Sequence, residues 1–408
     1  MISTRKDTAQ ISADELFDAL VRGEEFFVVD VRNREEFDAW RIEGRRPFET
    51  INVPYFELLE EGGKDDMVDS VVAYAKERWL DRLPRDREIL VVCAKGGTSE
   101  YVAEALRRLG FSAVNLQGGM IAWGDYYAVR PVAVQEDLSI HQVIRPARGC
   151  LSYVVASHGE AAVIDPLRHI VHYESFAKEW DLQIVHVFDT HGHADHISGG
   201  RALADRVGAP YHLHPYDAIH PVDVMPATIS YEPLADQKTF RIGRATLKAI
   251  HIPGHTLGNL ALVVNDRYVM TGDSIFIESV ARPDLGGRGE DWAPLHFRSL
   301  SKLTELADDA IVLPGHFSSL DEADEKGVFS DSLGDLKQKN ADLRMILEGE
   351  ERFVSHLLAN LPTFPKQYVD IKRVNAGLLH PNEESASELE LGRNLCALSG
   401  AYGEVSPT

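Results

Sequence analysis

Cysteine is scarce in this chain: Cys93, Cys150 and Cys396 are the only three in 408 residues. They are too few and too scattered for a disulfide framework or a Cys-x-x-Cys zinc cage, so a special cysteine here is special as a thiol. Long apolar runs are missing too. No stretch approaches the roughly 20 apolar residues that a membrane helix needs, which excludes a transmembrane reading. The opening MISTRKDTAQISADELFDAL has no apolar signal core and reads as a polar lead-in to an amphipathic helix, so a cytoplasmic location is expected. Positive charge is in deficit as well: 42 Lys and Arg face 64 Asp and Glu, a formal charge of −22. Phosphate contacts need clustered cations, so no nucleic-acid partner is expected, and no membrane partner.

What is present is ordinary globular composition, 44% hydrophobic and 26% charged, in a chain long enough for two or three domains. From about Ile11 to Tyr127, short apolar strands (FFVVDV, ILVVCA, AVNL) alternate with helical segments (SADELFDAL, SVVAYAKERWL, SEYVAEALRRLG). That alternation predicts an α/β domain: a parallel sheet with helices on both faces. Residues 128–136, AVRPVAVQE, lose the helical period and read as a linker or as the first strand of the next unit. Strands then dominate from about Leu138, with helices at HYESFAKEW, GGRALADRVG and HFRSLSKLTEL, before an acidic, helix-like tail.

The segment VVCAKGGTSEY, residues 91–101, runs an apolar strand straight into a cysteine and a loop of small residues. The C-terminal edge of a parallel strand is where α/β sheets collect ligands. Gly96 and Gly97 allow amides to turn inward as an anion nest, and a helix starting near Ser99 adds the positive end of its dipole. Both suit an anionic sulfur, as does Lys95; a buried structural cysteine at a strand end is the other reading. Taken in order, VVDVRNREEFDAWRIEG, INVPYF, VVCAKGGTS and NLQGGMIAW resemble the rhodanese (single-domain sulfurtransferase) family. The resemblance implies that Cys93 is catalytic and carries sulfane sulfur as a persulfide, bound by the loop residues Lys95, Gly96, Gly97, Thr98 and Ser99. Ala94 and Thr98 stand where thiosulfate-type members often carry arginine, and Arg41 where histidine is frequent. A preference for persulfide sulfur over thiosulfate is therefore expected.

The second signal is FDTHGHADHISGG, which releases His191, His193, Asp195 and His196 within six residues of a strand end. No core needs that density of imidazole, whereas imidazole nitrogen and carboxylate oxygen suit divalent cations. Further along, His255, Asp273 and His316 each follow a strand. By contrast, His158, His169, His172, His186 and His220 read as surface or packing residues, His251 as structural, and His212 and His214 lack a motif. The ordered set is similar to the metallo-β-lactamase superfamily, which implies an αββα sandwich after the first domain, here with a mostly helical C-terminal extension. The expected domains are 1–132, 133–345 and 346–408, the last packing on the metal domain.

Most of that superfamily is hydrolytic and uses two zinc ions. One branch, the persulfide dioxygenases, uses a single Fe(II) on a facial triad, which here would be His191, His255 and Asp273. His193, Asp195, His196 and His316 would then orient ligands from the second shell, or form a second metal site. TGDSIFIESVARPDLGG resembles the dioxygenase segment after the Asp ligand, which makes Arg282 a candidate clamp for a substrate carboxylate; an ion pair with Asp284 is its other open role. The residues after His316 do not resemble the thioester-binding helices of glyoxalase II. A rhodanese joined to a dioxygenase shares an intermediate with it, so the resemblance implies a bifunctional enzyme with one Fe(II) per chain. It would oxidise a small-molecule thiol persulfide with O2 to sulfite and thiol, while Cys93 exchanges sulfur with sulfite, thiosulfate or thiol. The alternative is a two-Zn(II) hydrolase of the glyoxalase II type carrying a rhodanese module. Analogous folds suggest a homodimer.

Overall fold

The computed structural model describes residues 9–59, 67–361, 364–392 and 396. Two compact units divide the chain at Ala128, with Arg145–Arg148 and Ser319–Asp321 counted in the first. The first unit holds five strands: β1 (Gln10–Ile11), β2 (Phe27–Asp30), β3 (Glu49–Asn52), β4 (Ile89–Val92) and β5 (Ala113–Leu116). They pair in the order β1-β5-β4-β2-β3, every pair parallel. Helices α1 (Ala13–Val21), α2 (Arg34–Ala39), α3 (Tyr55–Leu59), α4 (Met67–Arg78), α5 (Gly97–Arg108) and α6 (Gly119–Gly124) provide the crossovers and the closing turn.

Local chemistry explains these boundaries. Helix α1 starts on a capping box, with Ser12 accepting from the Glu15 amide and Glu15 accepting from the Ser12 amide. Asn33 and Glu36 repeat the device at α2. All four residues of β4 are buried, as a strand covered on both faces requires, and each such apolar side chain stabilises the fold by roughly 1.5–3 kcal/mol.

The second unit carries two sheets. One runs β12-β11-β10-β9-β8-β7-β6, from β6 (Ala128–Val134), β7 (Ser139–Arg145), β8 (Cys150–Ser157), β9 (Glu160–Ile164), β10 (Gln183–Phe188), β11 (Tyr211–Leu213) and β12 (Glu232–Pro233). The other runs β13-β14-β15-β16-β17-β18, from β13 (Thr239–Ile242), β14 (Ala245–His251), β15 (Leu260–Val264), β16 (Tyr268–Gly272), β17 (Ile311–Pro314) and β18 (Asp331–Ser332). Helices α7 (Val171–Glu179), α8 (Gly200–Val207) and α9 (Gly289–Thr304) complete the αββα sandwich. The helical extension follows as α10 (Leu333–Lys339), α11 (Ala341–Met345), α12 (Glu350–Ala359), α13 (Gln367–Asn375) and α14 (Glu383–Leu389).

The segment from residue 128 is strand β6, the second of the two readings its sequence left open, and the boundary expected after residue 132 falls inside it. Pro131 is tolerated because β6 lies at the sheet edge, where a missing N–H costs no ladder bond.

Candidate thiol loop and metal centre

In the first unit, Cys93 directly follows β4 and is almost fully buried. Its Sγ accepts from the Gly96 amide at 3.1 Å, the Ser99 amide at 3.4 Å and the Ser99 hydroxyl at 3.1 Å. The nest is thus made by Gly96 and Ser99, the two ends of the loop's turn into α5. Lys95 and Gly97 are exposed and Thr98 is half-buried at the rim. The turn needs Gly96 at φ +82, and the segment opening α6 holds it from behind. Met120 and Ile121 donate to the carbonyls of Cys93 and Ala94 at 2.9 and 3.0 Å. A Cβ on Gly119 would stand 2.3 Å from the Cys93 carbonyl oxygen, so Gly-Gly is what lets the two loops touch. Beneath Cys93, the Ser99 hydroxyl also lies 2.6 Å from Asn115 Oδ1, and Asn115 returns a bond to the Gly96 carbonyl.

The mouth is a cleft of about 250 Å³ lined by Asn33, Glu36, Tyr55, Cys93, Lys95 and Thr98. Arg32 borders it too, but its guanidinium is tied to Asp30 at 2.6 Å and to the carbonyls of Glu36 and Trp40. Among the described residues that line the cleft, Lys95 is the other cation.

In the second unit the histidine loop leaves β10 through Asp189 and Thr190. His191 Nε2 and His255 Nε2 lie 3.9 and 3.4 Å from Asp273 Oδ2. All three atoms are buried and have no hydrogen-bond partner. Their outer atoms, by contrast, are fixed: His255 Nδ1 donates to the Arg282 carbonyl at 2.8 Å, His191 Nδ1 lies 3.0 Å from the Thr190 hydroxyl, and Asp273 Oδ1 accepts from His316 Nδ1 at 2.7 Å. Burial pushes His191 well down and His255 down, leaving neutral imidazoles; burial opposes the Asp273 carboxylate, but His316 holds it below its usual range. Orphaned buried donors aimed at one another, braced from outside, are what a cation site leaves in its protein, and an N2O set suits Fe(II) as well as Zn(II).

The remaining histidines of the set are already paired with carboxylates. His193 Nε2 is 3.3 Å from Asp165 and 3.7 Å from Asp189, and its ring centroid lies 4.2 Å from that of His191. Burial disfavours its cation, yet the two carboxylates raise it well above the ordinary range. His316 bridges Asp195 and Asp273, each at 2.7 Å. His196 Nδ1 sits 3.2 Å from Asp195, which raises it to about 9 against burial. Glycine again makes the room: a Cβ on Gly315 would stand 2.6 Å from Asp273 Oδ1.

Arg282 is fully buried, and its guanidinium grips Asp284 through two bonds of 2.6 and 2.8 Å. Its side chain therefore takes the ion-pair role rather than standing open as a clamp, and its carbonyl orients His255. Two cysteines without a motif also arrive here. Cys150 Sγ is 3.5 Å from Asp195 Oδ2 because β8 opens on a bridge to His316. Cys396 joins Asp195 and Asp273 in a buried group whose ligand atoms all lie within 4.8 Å of one another.

Residues 145–316 match the Metallo-beta-lactamase superfamily and residues 12–126 the Rhodanese-like domain. An uncharacterized protein of Mycobacterium leprae is 31% identical over 193 residues, covering 42% of this chain and 87% of that protein. A hydroxyacylglutathione hydrolase of Pelagibacter ubique is 25% identical over 255 residues, covering 61% of this chain and 96% of the enzyme. A metallo-beta-lactamase crystal structure from Staphylococcus aureus subsp. aureus COL superposes with a TM-score of 0.52 at 26% identity, covering 60% of this chain and 74% of that one. The chain therefore joins a Rhodanese-like domain to a domain that belongs to the Metallo-beta-lactamase superfamily.

Proposed function

We propose that the chain is a bifunctional sulfur enzyme: a persulfide dioxygenase with a sulfurtransferase built around Cys93. The observation that carries this reading is the group His191, His255 and Asp273, whose ligand atoms are buried, lack a hydrogen-bond partner and lie within 4.8 Å of one another, while His193, His196 and His316 each stand against a carboxylate at 3.3, 3.2 and 2.7 Å. Fe(II) on that triad would supply O2 activation beside a sulfur ligand. One thiol persulfide, one O2 and one water give one thiol, one sulfite and two protons. The protein's own part is to hold the imidazoles in the tautomers that turn Nε2 inward, through Thr190 and the Arg282 carbonyl. It also keeps water from the site with the apolar cluster of Ala194, Phe276, Leu285, Trp292 and Tyr368. At Cys93, Sγ attacks the sulfane sulfur of a donor, the donor S–S bond breaks, and its thiolate leaves with the electron pair. The Gly96 and Ser99 donors then stabilise the anionic persulfide. With Arg32 committed to Asp30, the cleft offers Lys95 for a sulfonate, which favours a thiol persulfide over thiosulfate.

A second reading, a two-zinc hydrolase, is favoured by the likeness to the hydroxyacylglutathione hydrolase and by the donors next to the triad. Metal analysis of protein from cells supplied with both metals, combined with O2 consumption on glutathione persulfide, separates the two. We expect about one iron per chain and rapid uptake; two zinc ions with no uptake would overturn the proposal. Cys93→Ser should abolish sulfur transfer and leave O2 uptake intact.

A further inference from the structure

The loop from His191 to Ser198 carries four of the candidate metal ligands and has almost no regular structure. Most of it is buried, so its backbone N–H and C=O groups need partners that no helix or sheet ladder supplies. Several of those partners come from residues 372–390. Asn375 Nδ2 donates to the carbonyls of His193 at 3.0 Å and His196 at 2.9 Å, while its Oδ1 accepts from the Ser198 amide at 2.9 Å. One carboxamide thus spans the loop with its donor and acceptor ends both used. Lys372 Nζ, almost fully buried, donates to the Gly192 carbonyl at 2.5 Å, and Glu390 Oε1 accepts from the Ile197 amide at 2.8 Å.

The element supplying Asn375 and Lys372 is itself anchored. Arg373 grips Asp223 through bonds of 2.7 and 3.0 Å, and the Thr228 amide and hydroxyl bond to the carbonyls of Ala376 and Gly377. On the loop's other side, Asp217 takes the Gly192 amide at 2.8 Å, the Thr256 hydroxyl at 2.6 Å and the Gly258 amide at 2.9 Å. It thereby ties the loop of His191 to the loop of His255.

We propose that α13 and α14 are the clasp of the metal loop, with Asn375 its central positioning residue. The clasp sets the carbonyl directions of His193 and His196, and so the placement of those side chains, before any metal binds. It lies wholly outside residues 145–316, so the family-matched segment, with Asp217, supplies only part of what holds the loop of its own ligands. This holds whichever metal the triad takes.

The test is hydrogen exchange on the metal-free full chain, followed by cobalt(II) titration. In Asn375→Ala the amides of Ile197 and Ser198 should exchange at least tenfold faster, with those of β8 and β9 unchanged, and cobalt(II) affinity should fall at least tenfold. Asn375→Asp has the same size but places an acceptor against two carbonyls; it should show the same pattern if the alanine variant does not fold. Lys372→Met should show a smaller effect of the same kind. Loop exchange at the native rate, acceleration shared equally by β8 and β9, or unchanged cobalt(II) affinity would each overturn the proposal. None of these readouts depends on persulfide oxidation, so a failed O2 assay leaves the inference standing.

Discussion

At Cys93 three donors converge on one sulfur, and one of them has two acceptors to choose between. The Ser99 hydroxyl has a single proton, with Cys93 Sγ at 3.1 Å and Asn115 Oδ1 at 2.6 Å. Toward an anionic sulfur that proton is worth more, since hydrogen bonds to charged acceptors contribute roughly 1.5–3 kcal/mol against about 1 for neutral ones. Ser99→Ala should therefore slow sulfur transfer through Cys93 by about tenfold or more, the equivalent of about 1.4 kcal/mol. Ser99→Thr should restore much of it. Iodoacetamide labelling of Cys93 at fixed pH checks the ground state, and single-turnover persulfide formation checks the transfer itself. Equal rates for Ser99→Ala and the native chain would leave the two amides as the whole of the nest.

Between elements, the contact that shapes the thiol loop is the close approach of the α6 start to the turn after β4. Gly119→Ala would put a methyl group 2.3 Å from the Cys93 carbonyl at a φ of +63. A left-handed non-glycine residue costs roughly 1–3 kcal/mol before any clash is counted. The variant should lose sulfur transfer with Cys93 intact and melt lower in the first unit, while the second unit's transition stays in place; calorimetry resolves the two. This is also where reading from sequence succeeded and where it stopped. Cys93, Gly96, Gly119 and the candidate ligands from His191 to His316 sit at strand ends in motifs whose spacing survives in one dimension, so both folds could be read, and both candidate sites proposed, from them. Asn375, Lys372 and Asp217 could not, because a side chain that bonds a distant carbonyl leaves no period in the sequence. Cys150 and Cys396 were equally silent: each reaches Asp195 through pairing or packing across the unit. Arg282 illustrates ambiguity, since a buried arginine two residues from an aspartate suits a clamp or an internal pair equally well until the fold brings them together.

In the second unit, burial and a neighbouring carboxylate have placed histidines on opposite sides of their ordinary range. His212, stacked on Phe188 at 4.6 Å, and His296 beside Phe353 are both driven down to about 3 by burial. Unfolding lets them take up protons near 6.5, the ordinary value. Their contribution is present above pH 6.5 and is lost as pH falls from there toward 3. His196, raised to about 9 by Asp195 against burial, has the opposite sign: its contribution is complete below 6.5 and fades as pH climbs through 9. Metal-free protein should therefore be most stable near pH 6.5 to 7, with its melting temperature falling on both sides, and His212→Phe should flatten the acid limb. A melting temperature still rising at pH 4.5 would contradict these assignments.

The clasp also sets an order of events at the ribosome. The loop ending at Ser198 emerges long before Asn375 and Glu390 exist, and at 5–20 residues per second that interval is roughly 10–40 s. Through that time the nascent chain displays its imidazoles on an unsecured loop, a poor chelator for whatever metal is most abundant. Selection of the ion is thereby deferred until Asn375 and Glu390 have been made.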